Sequence, residues 1–313
     1  MTRTFATACL LLMMSSVASG QQVVDTTYRP LANTKHAAVT GARSVVVIDQ
    51  AHHNFHTASG RYLPFARLLE DAGYVVRAGT TRYDSATLKS VGVLVIANAV
   101  NAANETGPNW RLPILPAFDA SEIASITAWV KRGGSLWIIA DHLPFAGAAA
   151  DLGRSVGVIW LDGFALPDDH AADPRTGDYP ITFRRSDGSL GAIPMGARID
   201  SVVTFTGSAF RLAPGVRLGV DAWPLFTFRS PTRVWLPRVA WVFGDSVASV
   251  SGDGLLQGAL LKVGRGRVAA FGEAAMFSAQ RKGAERVPMG MNAPEASENA
   301  KFTIAVLRWL TGR

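Results

Sequence analysis

Three of the six histidines in the chain, His52, His53 and His56, fall within five residues, just after Asp49 and on either side of Asn54. Imidazole and carboxylate so close together can relay protons, orient one another or ligate a divalent ion. Residues of the same kind recur as Asn98 with Asn101, as Asp141 with His142, and as Glu273. Acid–base chemistry would use His52 or His142 as base, oriented by Asp49 or Asp141, with Glu273 as acid or positioning group. His53, Asn54, His56, Arg61, Asn98 and Asn101 would contact substrate, Arg61 suiting an anionic group.

Each set follows a short apolar run, and those runs must position it. Ser44 to Ile48, Val91 to Ala97, Ser135 to Ala140 and Val268 to Phe271 are continuous and rich in branched residues, as in strands buried on both faces of a parallel sheet. Between them, Leu63, Phe65, Leu68, Leu69 and Ala72 return at helical spacing before Gly73, and Ile123, Ile126, Trp129 and Val130 do so before Gly133. Asp119 or Ser121 can cap the second helix, and Ser297 a closing helix carrying Phe302, Val306, Trp309 and Leu310. Shorter signals predict a strand at Tyr74 to Ala78, a short helix at Asp84 to Ser90 and a small-residue helix at Ala148 to Val156. This grammar predicts an α/β fold with a flavodoxin-like parallel sheet flanked by helices. In such sheets ligands bind beyond the carboxyl ends of the strands, where all four polar sets would meet.

From about 158 to 266 the pattern changes to short alternating segments, among them Ile199 to Thr206, Val216 to Val220, Leu225 to Phe228 and Val239 to Phe243. They predict a β-rich extension or insertion, and Leu256 to Val263 with Val268 to Phe271 should form a hairpin about Gly264-Arg265-Gly266. The long Asn101 to Pro116 connection reads as a functional or lid-like loop.

The nucleophile and the metal are the weak points of the pattern. Ser59 and Ser278 are available, but neither lies in a G-x-S-x-G elbow. Histidines with one carboxylate could hold zinc or a similar ion, yet no HExxH spacing occurs and adjacent His52 and His53 do not readily face one ion. His170 could reach the site from the insertion, and Trp110, Trp160, Trp223 and Trp235 would suit stacking against sugar rings.

The first twenty residues have Arg3, an apolar stretch from about Ala8 to Met14, and the small residues Ala18, Ser19 and Gly20. They read as a secretory signal peptide, which makes the mature protein periplasmic or secreted. Removing 20 of the 313 residues leaves 293, and a formal charge of +7 falls to +6 with the loss of Arg3. The basic residues are scattered singly, which argues against nucleic acid as a partner and supports at most a weak attraction to an anionic envelope surface. No later stretch has the composition of a transmembrane helix.

VVVIDQAHHNFHTASGRYLPFARLLEDAGY, WVKRGGSLWIIADHLPFAGAAADLG, GRVAAFGEAAMFSAQ and NAPEASENAKFTIAVLRWLTG together resemble a group of exported bacterial proteins of uncharacterised activity. Their domain is similar to the class I glutamine-amidotransferase-like, flavodoxin-like fold and to the auxiliary domain of GldG-type gliding and transport proteins. The resemblance implies one such domain over 43–313, after a leader at 21–42. Class I amidotransferases use a Cys-His-Glu triad, but the single cysteine here, Cys9, lies in the signal peptide. A glutaminase is therefore not expected. What remains is an exported protein, either a hydrolase of a small envelope or carbohydrate-like substrate or a non-catalytic module that binds a ligand or partner in the same cleft.

Overall fold

A strand covered on both sides needs no alternation between polar and apolar residues, and Val93–Ala97 illustrates the point. Val93, Val95 and Ala97 face one apolar layer, Leu94 and Ile96 the other, and all five are fully buried. The computed structural model describes residues 22–29, 40–168, 177–194, 198–229 and 231–313. The signal segment and His170 lie outside them.

In chain order the first elements are β1 (Val23–Val24), β2 (Val45–Asp49), α1 (Leu63–Asp71), β3 (Val75–Gly79), β4 (Val93–Ala97), α2 (Ala120–Lys131) and β5 (Ser135–Ile139). The short helices α3 (Phe145–Ala148) and α4 (Ala150–Ser155) come next. They are followed by β6 (Val158–Leu161), β7 (Phe164–Pro167), β8 (Ile181–Arg184), β9 (Ser201–Thr204), β10 (Ala209–Leu212), β11 (Ala222–Thr227), β12 (Thr232–Trp235) and β13 (Ser249–Ser251). The chain ends with β14 (Leu256–Val263), β15 (Gly266–Phe271), β16 (Ala279–Lys282), β17 (Val287–Gly290) and α5 (Asn299–Thr311).

Five strands, in the order β3-β2-β4-β5-β15, run parallel side by side. Beyond β15 the sheet continues antiparallel through β14, β10 and β6, with β11 also paired to β14. The sheet is therefore mixed, not parallel throughout. Its second half is built from β14 and β15, which a tight turn joins as antiparallel neighbours, and from the strands that pair outward from β14. Smaller sheets of β13-β12-β7, β8-β9 and β1-β16-β17 lie beside it. Residues Val23 and Val24, which precede the expected domain, thus form an edge strand on β16.

Helices α1 and α5 cover one face, α2 and α4 the other. Phe65 on α1 meets Trp137 of β5 edge to face at 5.4 Å, and Phe277 meets the same indole at 5.2 Å. Burying an aromatic ring in this way contributes roughly 1.5–3 kcal/mol. No helix among the described residues is long and apolar enough to cross a membrane.

Several local expectations are corrected. Asp84 to Ser90 yields only a 3-10 turn at Thr87–Ser90, whereas the helix expected at Ala148 to Val156 is present as α4, with the separate short α3 before it. Val216 to Val220 and Val239 to Phe243 form turns and single bridges instead of strands. Asp119 does cap α2, its Oδ1 accepting from the Glu122 amide at 2.8 Å. Ser297 does not cap α5: the residue before the helix is Glu298, whose carboxylate instead accepts from the amides of Asp200 and Ser201 at 2.8 and 3.0 Å.

Gly266 marks where α2 and β15 approach most closely. A Cβ there would lie 2.0 Å from the Val130 carbonyl oxygen and 2.5 Å from that of Gly134, both rigid backbone. Gly266→Ala should therefore lower unfolding stability by about 2–4 kcal/mol, read from the denaturant midpoint. A midpoint equal to that of the wild type would show that α2 is not seated on β15 as described.

Candidate functional site

Because β2, β4, β5 and β15 are parallel, Asp49, Asn98, Asp141 and Glu273 emerge along one edge of the sheet. Their hydrogen bonds sort them into two networks. Two separate groups of charges lie there.

The first group is centred on His52. Its Nδ1 lies 2.9 Å from Asp49 Oδ2, and its Nε2 lies 3.0 Å from Glu122 Oε1. Tyr83 donates its hydroxyl to Asp49 Oδ1 at 3.0 Å and its amide to Glu122 Oε1 at 2.8 Å, and the Arg82 guanidinium binds Glu122 Oε2. The Phe118 ring lies 4.3 Å from the imidazole. Burial alone would lower the pKa of His52, but the hydrogen bond and charge of Asp49, with those of Glu122, outweigh it and raise it. Both ring nitrogens are engaged, so His52 is held as a cation between two carboxylates. The sequence assignment of Asp49 and His52 to proton transfer thus meets an arrangement with no free nitrogen. The same contacts join the β2 loop to the start of α2.

The second group surrounds His142. Asn98, in the left-handed conformation at φ 51°, accepts the Asp141 amide on Oδ1 at 3.0 Å, and its Nδ2 lies 3.3 Å from His56 Nδ1. Since Oδ1 is the acceptor, Nδ2 donates, and His56 must carry its proton on Nε2. Burial, then Arg61 and His142, hold the pKa of His56 well below its ordinary range. His142 Nδ1 lies 2.7 Å from the Leu143 carbonyl and so bears the proton, which leaves a lone pair on Nε2 with no partner among the described residues. Burial lowers the His142 pKa despite Asp141, which keeps this lone pair available at neutral pH. The ring stacks on Phe164 at 4.5 Å, with Trp241 at 4.7 Å and Trp110 at 6.1 Å.

Asp141 Oδ1 accepts from the His142 amide at 2.8 Å, and Oδ2 from Ala274 at 3.4 Å. Glu273 accepts from the amides of Ala275 and Met276 at 2.6 and 2.8 Å, yet burial and then the charge of Asp141 push its pKa well above the carboxylate range. Burial also raises Asp141. Burial at both groups, and the charge of Asp141 at Glu273, thus disfavour ionising the two carboxyls together. Tyr62, fully buried, donates to the Ala274 carbonyl at 3.0 Å and feels both acids. A buried Lys282–Asp178 pair adds its field to His142.

The other candidates are placed elsewhere. His53 is exposed and pairs with Glu105 at 3.0 Å. Asn54 is used up by the His52 amide and the Ala97 carbonyl, and Asn101 closes its loop through Ala103 and Pro116. Ser278 is fully buried and bonded to Ala275 and Gln280, and Ser59 is exposed. Trp160 and Trp223 pack against Phe210 and Trp309, away from His142. Among the described residues no group of three or more His, Asp or Glu is arranged to hold a metal ion. Sequence reasoning missed Tyr62, Tyr83 and Glu122. Only their neighbours in space betray them, although the acidic Glu122 in a first helical turn is an ordinary helix signal.

No protein-family model matches the chain, and no curated protein matches it. Among solved structures it is similar to the mmIFT52 N-terminal domain, at 12% identity and a TM-score of 0.56 over 86% of this chain and 98% of that one. It also overlays on a ThuA-like protein from Parabacteroides merdae, at 11% identity and a TM-score of 0.45 over 85% of this chain and 89% of that one. A GMP synthase homologue from Thermoplasma acidophilum gives 10% identity and a TM-score of 0.38 over 86% and 94%. The first likeness concerns the fold alone, and the other two are too loose to carry an argument.

The His52 clasp sets a pH dependence. Its folded pKa lies above the ordinary value of 6.5, so its stabilisation is complete below that value and fades as pH rises through the raised one. The stability gap between wild type and His52→Gln, measured by denaturant unfolding, should be larger at pH 6 than at pH 9. A gap that widened with pH would contradict a cationic His52.

Proposed function

We propose that the protein is an exported α/β hydrolase acting by acid–base chemistry on a small, carbohydrate-like envelope substrate. The observation that carries this reading is the bond of His142 Nδ1 to the Leu143 carbonyl, which leaves Nε2 as a base on the same sheet edge as the buried carboxyls of Asp141 and Glu273. His142 would take a proton from an attacking water, and the carboxyl pair would return one to the departing oxygen. Trp241 and Trp110, which are partly exposed beside His142, offer ring faces and edges suited to a sugar. Numbered along the chain, the parallel strands run second, first, third, fourth, fifth, which supports the flavodoxin-like reading. In that order the switch point falls between β2 and β4, the strands that carry His56 and Asn98.

One observation favours a non-catalytic binding module instead: both Glu273 oxygens already accept backbone amides, as in a purely structural turn.

Turnover of a panel of aryl glycosides and acyl esters by the purified mature chain separates the two. His142→Gln should lower kcat/KM by roughly 10²–10⁴-fold with the melting temperature nearly unchanged. If the variant hydrolyses as well as the wild type, or the wild type hydrolyses nothing, the binding reading takes its place. Export predicts a mature N-terminus near Gln21, and N-terminal sequencing of envelope material that began at Met1 would remove that part of the proposal.

A further inference from the structure

Arg61 occupies an odd position for a guanidinium. It is half-buried, lies 3.7 Å over the Phe55 ring, and donates one long bond of 3.4 Å to the Phe55 carbonyl. Its Nε is buried with no hydrogen-bond partner, and no carboxylate pairs with it among the described residues. His56 Nε2, which bears that ring's proton by the Asn98 argument, is likewise buried without an acceptor. Two neighbouring buried donors lacking acceptors are costly, and the cost is met when an anion bonds to both. The pair borders the cleft: Phe55 touches Trp110 at 5.7 Å and Phe145 at 5.6 Å, and both of these rings flank His142.

We propose that Arg61 and the Nε2–H of His56 form an anion-binding subsite of this cleft, which takes a carboxylate or phosphate group carried by its ligand. The inference rests on the site described under the proposed function and specifies its substrate as an acid. Arg61 supplies the charge, while His56 stays neutral and supplies a fixed donor. Asn98 holds that donor in place, and the same amide positions Asp141. A bound anion is thereby set near the base His142.

Calorimetric titration of the purified mature protein at neutral pH and low salt, with inorganic phosphate and separately with acetate, tests this. At least one anion should bind saturably in the millimolar range, on the order of 4 kcal/mol. Phosphate alone would point to a phosphorylated ligand and acetate alone to a carboxylic acid. Arg61→Met should weaken binding roughly tenfold or more, with partial recovery in Arg61→Lys, because a point charge replaces only part of a guanidinium fork. If Arg61→Met does not fold, His56→Leu makes the same comparison. His142→Gln should bind the anion as the wild type does, so lost turnover with intact anion binding leaves the subsite standing. Absence of binding to the wild type, or equal binding by the wild type and the Arg61 variant, overturns the subsite and leaves the acid–base reading to its own test.

Discussion

Asn98 is the residue on which the sheet edge depends. Its amide donates to the Ile139 carbonyl and its carbonyl accepts from Phe55, so its backbone ties β4 to β5 on one side and to the β2 loop on the other. Its side chain repeats both links, taking the Asp141 amide and meeting His56 Nδ1. Its backbone is left-handed, a conformation asparagine tolerates better than most residues. The tautomer of His56, the direction of Asp141 and hence the field on Glu273 all follow from one amide.

The two charged groups along this edge solve the same problem in opposite ways. Asp49 and Glu122 enclose the cationic His52, and Glu122 also takes Arg82, so each negative charge has a positive partner. Such a group joins a loop to a helix, and removing one partner would leave a buried charge unpaired. At Asp141 and Glu273 burial outweighs the amides that each accepts, and raises both above the ordinary carboxylate range. That arrangement costs stability, which is the usual signature of groups kept for something other than the fold.

Much of the fold was legible because both faces of the parallel strands are covered, which writes long apolar runs into Ser44 to Ile48, Val91 to Ala97 and Ser135 to Ala140. The hairpin of β14 and β15 was legible for a local reason: Gly264 supplies the positive φ of its turn. Val239 to Phe243 misled because an apolar stretch that caps a cleft has the same composition as a strand. Within the candidate site, residues that follow strands directly were found. The partition between them was not, since it is decided by Glu122, 70 residues from His52, and by which His56 nitrogen Asn98 can reach.

The surroundings of His142 include the pieces that were hardest to read. Asp141, His142 and Glu273 are at most 8% exposed; Phe164 of β7 and Phe145 of α3 pack on His142 from within the fold, and two further rings come from loops. The Asn101 to Pro116 loop brings Trp110, and the turn at Val239 to Phe243 brings Trp241. The loops are tied by the Ala240 amide to the Trp110 carbonyl at 2.8 Å and the Leu112 amide to the Arg238 carbonyl at 2.9 Å, about the single bridge of Arg111 with Val239. Two such bonds are worth only about 1–3 kcal/mol in net terms, far less than the packing of β5 and β15 beneath them. These two loops are thus held to each other far more weakly than the sheet edge beneath them is held together.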